Sequence, residues 1–197
     1  MSEVAPAVQA ALDSSGPVPR DLVVDWCHRA DDPTSLALLY RLTGEGHERI
    51  QPPLGQDESC RLIQKYLLAC LRLNPTDASA FNRYQAAWTL VSWFQHLSRL
   101  GADIAPVLRD TVTAVTALYL AGDDDVRTAI ETGFLEHVLE DEEFRPLFAA
   151  WADDNQLRPA WQAALAWGEA HPGFTRGLAQ RRADDESPES RRGPTKS

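Results

Sequence analysis

Residues 131–141, "ETGFLEHVLED", set His137 beside three carboxylates, Glu136, Glu140 and Asp141. Imidazole and carboxylate are the materials of a metal site or a proton relay. Spacing decides whether a helix can use them that way. Helical zinc sites carry H-E-x-x-H, with both histidines on one face. Di-iron bundles draw Glu-x-x-His from two helices. Neither pattern occurs here. Glu136 and His137 are adjacent, so their side chains point about 100° apart on a helix. Glu140 and Asp141 follow His137 by three and four residues, and either can hydrogen-bond it locally. His137 falls on the apolar face of Val126, Ile130, Gly133 and Phe134. Gly133, one turn earlier, costs roughly 0.8–1 kcal/mol against Ala inside a helix; a neighbouring helix passing close would account for it. The spacing predicts a core or interface histidine oriented by its own helix. No catalytic or metal-binding residue is assigned.

Glu136 and Glu140 sit one turn apart with no cation between them. Like charges at that spacing cost a few tenths of a kcal/mol, and the nearby helix C-terminus disfavours anions further. Either Arg145 or Arg158 in the following helices offsets them, or a basic partner does. In the second case Glu131, Glu136, Glu140, Asp141, Glu142 and Glu143 form an acidic contact surface. A rival site is a small-molecule pocket lined by Trp88, Trp93 and Phe94, with His137 as its polar anchor; for those aromatics plain core is the simpler reading. Asp123, Asp124 and Asp125 suit helix capping, and the alternation, Gly and terminal Glu of a calcium loop are missing. There is no G-x-S-x-G, phosphate-binding loop or G-x-G-x-x-G. Cys27 and His28 are sequence neighbours and do not face each other on a helix. No enzymatic activity and no cofactor are expected.

Composition narrows the classes. The chain has 197 residues, of which 44% are hydrophobic, with six Trp, six Phe and four Tyr. That is enough to bury a core without disulfide or metal staples. The formal net charge of −10, with no basic stripe, argues against nucleic acid and anionic membrane surfaces and permits a basic protein partner. Three cysteines without C-x-x-C spacing suit free thiols in a reducing compartment. Neither a secretory signal nor a membrane span is read, so a cytoplasmic location is expected. Arg far outnumbers Lys.

Helical spacing recurs along most of the chain, and strand signals are weak. Residues 1–20 are Pro-, Ser- and Ala-rich and are expected to be a flexible segment with at most a short helix. Helices are predicted over 21–30, 31–44 (capped by Asp32, with Pro33 first), 57–74, 77–101, 104–122, 123–141, 142–154 and 155–171. The helix over 77–101 is apolar around most of its circumference and is expected to be central. One all-helical domain over 21–173 follows, with a disordered tail over 174–197.

The "GFLEHVLED" core, with the acidic turn and the Trp-containing final helices, resembles a family of small bacterial all-α proteins carrying a Gly-Phe-Leu-Glu-(His/Asn) helix. The likeness covers roughly residues 60–170 and rests on that one motif. It implies a bundle or helical-repeat fold, no established catalysis, and an interaction or immunity role. The expectation is an all-α, single-domain irregular bundle, or short HEAT-like layers, of about seven to eight helices. Its expected function is protein binding, of an immunity or antitoxin kind, in a bacterial cytoplasm.

Overall fold

The computed structural model describes residues 3–100 and 105–174. About 76% of these are helical, and the helices slightly outnumber the seven to eight expected. They are α1 (Val4–Asp13), α2 (Arg20–Arg29), α3 (Pro33–Glu45), α4 (Gln56–Leu73), α5 (Arg83–Ser98), α6 (Ala105–Ala121), α7 (Asp124–Ile130), α8 (Glu136–Val138), α9 (Ala149–Asp153) and α10 (Arg158–Ala170). The chain divides into two compact units, Met1–Phe134 and Leu135–Ser197, where the sequence predicted one domain.

In the first unit α4 packs against α3, α5 and α6. Its stripe of Leu62, Tyr66, Leu67, Cys70 and Leu71 is buried as the spacing requires. Asp32 caps α3 by accepting from the Ser35 N–H at 2.8 Å, and Pro33 opens the helix. The start of α5 falls later than residue 77. Asn82 and Gln85 form a reciprocal capping box there, at 2.9 and 3.0 Å. Phe81 stays in the loop, where its ring meets Tyr40 and Tyr66. Along α5 the buried apolar set is Ala86, Ala87, Leu90, Val91, Trp93, Phe94 and Leu97, Arg83 is also buried, and Tyr84 is half exposed.

Two further departures lie near the N-terminus. Residues 4–13, within the segment expected to be flexible, form α1, with Val4 and Val8 buried. α1 packs on α3, and Arg49 fixes its end by donating to the carbonyls of Gly16 (3.1 Å), Ala11 and Leu12. Val18–Pro19 (β1) and Ile50–Gln51 (β2) pair as a two-residue parallel bridge, too short to leave a strand signal in the sequence. The predicted tail lies outside the described residues except for Phe174.

The helix predicted over 123–141 starts as expected, with Asp123 accepting from the Val126 N–H at 2.9 Å. Beyond Ile130 it widens into a π-helical turn, Glu131–Leu135, before α8 resumes. Gly133 lies in that turn, and a Cβ there would stand 2.7 Å from the Ala87 Cβ of α5. The close approach inferred from the glycine is therefore real, and its neighbour is α5. Glu131 accepts a 2.5 Å hydrogen bond from the Tyr119 hydroxyl. The helix predicted over 142–154 is instead a 3₁₀ segment, Glu142–Phe148, followed by α9. Pro146 removes one backbone donor there.

Gly133→Ala is expected to destabilise the fold by about 1–3 kcal/mol through overpacking. Gly44→Ala, where nothing lies within 4 Å, should instead stabilise α3 by up to about 1 kcal/mol. Urea unfolding of the two variants reads both signs. Alkali offers a second test. Burial pushes the Cys27 and Cys70 thiols up to about 11, and burial with the Glu131 carboxylate pushes the Tyr119 phenol up to about 12. The folded state holds these protons more tightly, so their contribution is whole below the ordinary thiol value of 9.0 and is lost as pH rises through 11 to 12. The urea midpoint should be lower at pH 11 than at pH 8; an unchanged midpoint would contradict their burial.

Candidate functional site

The second unit holds His137 and most of the acidic residues singled out from the sequence. α10 packs against α8 and α9. Gly168 of α10 makes this approach close, because a Cβ there would lie 3.2 Å from the Glu140 backbone and 3.3 Å from the Leu139 carbonyl oxygen. His137 is 3% exposed. Its Nδ1 stands 3.0 Å from Glu140 Oε1, and the Glu140 side chain is itself only 4% exposed. Trp167 meets the His137 ring edge-to-face at 4.6 Å, and Phe174 stacks on it at 5.8 Å. His171 stacks on Trp167 at 4.5 Å, and its own Nδ1 meets the Trp167 carbonyl at 2.9 Å. His137 is thus a core histidine oriented by Glu140 from the turn that follows its own helix and closed over by rings.

That geometry corrects part of the predicted acidic surface. Glu140 is internal and serves His137. Glu131, in the first unit, is half-buried and bound to Tyr119. Glu136 and Asp141 are half-buried, and Glu142 and Glu143 are exposed. The two arginines considered as neutralising Glu136 and Glu140 are directed chiefly to backbone carbonyls. Arg145 donates to the Leu139 carbonyl at 3.1 Å and reaches Glu142 only at 3.9 Å. Arg158 donates to the carbonyls of Ala152 and Asp153 at 2.7 and 3.1 Å. What remains open to solvent is an acidic turn. Glu142 and Glu143 are its exposed members, and residues 140–143 line a cleft of about 420 Å³ together with Pro172 and Gly173.

The aromatics proposed to line a pocket lie in the first unit, and His137 in the second. Phe94 is fully buried and packs edge-to-face on Phe134 at 5.8 Å. Trp93 is 7% exposed, and Trp88 is half-buried. Phe94 and Trp93 do the work of core residues. Among the described residues no group of three or more His, Cys, Asp or Glu is arranged to hold a metal ion. No described helix is long and apolar enough to cross a membrane. Sequence reasoning missed the ring cluster of Trp167, His171 and Phe174, because α10 reaches His137 through tertiary contact.

Glu140→Ala removes the partner of a buried imidazole and should cost about 1–3 kcal/mol. Glu143→Ala, on the exposed turn, should change stability by less than about 0.5 kcal/mol. Equal losses in urea unfolding would contradict the division between internal and exposed carboxylates. No family model, curated protein or solved structure matches the chain, so the resemblance carried by "GFLEHVLED" rests on those residues alone.

Proposed function

We propose that the chain is a non-enzymatic protein-interaction module, of the immunity or antitoxin kind in a bacterial cell. Its basic protein partner is received by the acidic turn of the second unit. The observation that carries this reading is the state of that turn. Glu142 and Glu143 are exposed beside the cleft bounded by Pro172 and Gly173, and the adjacent Arg145 is directed chiefly to a backbone carbonyl. Concentrated negative potential on a surface steers and selects a positively charged partner. The net charge of −10 supports the same direction. Glu140 is left out of the contact surface, since reversing a buried carboxylate would disturb folding before it reported on binding.

The test is an affinity measurement on a partner identified by co-purification from the source cell. Glu142→Lys with Glu143→Lys should weaken binding by about tenfold or more, mainly by slowing association, and should flatten its salt dependence. Unchanged affinity and salt slope would remove this surface from the interface. A toxin gene adjoining the coding sequence would favour the immunity role over other binding roles.

A further inference from the structure

The first unit contains a groove that the proposed partner surface does not use. It runs between α4 and α6 and has a volume of about 520 Å³, within the usual range of roughly 300–1,000 Å³ for small-molecule sites. α6 buries Val107, Thr111, Val115 and Tyr119, one residue per turn. A second apolar row on α6, Ala114 and Leu118, is only half-buried and forms one wall of the groove. Leu68 of α4, also half-buried, faces them, and the fully buried Leu36 of α3 lies beneath. Such a lining favours an aliphatic body, because water gains little from an apolar trough and an alkyl chain gains burial.

The rim carries charge of definite sign. Lys65 and Arg72 both line the groove from α4. Seven residues apart, they stand about 10 Å from each other along one side of the helix. Lys65 Nζ is held by the carbonyls of Cys27 (2.8 Å) and His28 (3.3 Å) at the end of α2, so Arg72 is the cation that a ligand would meet. Arg72 is exposed. The one acidic residue of the lining is Asp31, also exposed. The groove is therefore locally cationic in a chain of net charge −10. We infer that the α4–α6 groove binds a free medium-chain fatty carboxylate, with its alkyl chain along Leu68, Ala114 and Leu118 and its carboxylate at Arg72.

Sodium decanoate, below its micelle concentration, is the probe, titrated into the delipidated full chain by isothermal calorimetry. Saturable one-to-one binding is expected, with decanol binding at least about tenfold more weakly for want of the charge-assisted contact. Arg72→Glu, at an exposed position that should leave the fold intact, should weaken decanoate about tenfold or more. Ala117→Trp, placing a large side chain into the groove from α6, should abolish binding, while circular dichroism checks that the helices persist. Failure of the wild-type chain to bind decanoate overturns the assignment. So does Arg72→Glu binding like wild type, or decanol binding as tightly as decanoate.

Discussion

One interaction recurs at the helix ends of this fold, a cation placed on the last carbonyls of a helix. Every helix ends with carbonyl groups that have no partner within the helix, and a positive charge there also meets the negative end of the dipole. Among the described residues six long side chains fill that role. Arg49 holds the end of α1, Lys65 that of α2, Arg83 that of α4 and Arg127 that of α6. Arg145 holds the carbonyl that follows α8, and Arg158 holds the end of α9. Arg83 is the deepest of these. It is 8% exposed, with Nε 2.8 Å from the Leu71 carbonyl, while its own N–H donates to Asn74, which turns left-handed to end α4. A guanidinium suits the task because its fork reaches two carbonyls at once, as Arg158 does.

That use of basic residues shapes the electrostatics of the second unit. Arginines that looked available to neutralise carboxylates are committed to backbone. One carboxylate, Glu140, is met by a histidine in the interior. The exposed pair Glu142 and Glu143 keeps its charge outward. The negative surface is thus a by-product of how the helices are ended as well as of composition.

Local signals were legible where a few neighbouring residues suffice. The Asp32–Pro33 start of α3, the buried stripe of α4 and the Asp123 cap all follow from positions within one or two turns. Gly133 announced a close neighbour without naming it, since the identity of that neighbour, Ala87, is tertiary information. The π-helical turn escaped notice because one added residue scarcely disturbs an apolar pattern read at 3.6 residues per turn. Glu140 was assigned to the surface by its type, whereas its burial goes with its pairing to His137 and with the close passage of Gly168 against its backbone, which is tertiary information. The targets of Arg145 and Arg158 were invisible for another reason. A carbonyl is present at every residue, so nothing in the sequence marks the one that will be left open.

The carbonyl clamps also make the arginines of this protein chemically unequal. A protease that cuts after basic residues must draw the side chain into its own pocket. An arginine such as Arg72, which stands in solvent, can be drawn out without disturbing a helix end. Arg49 and Arg83 can be drawn out only by first uncovering the carbonyls they hold, which requires local opening. The order in which trypsin finds its sites would then trace which helix ends open first.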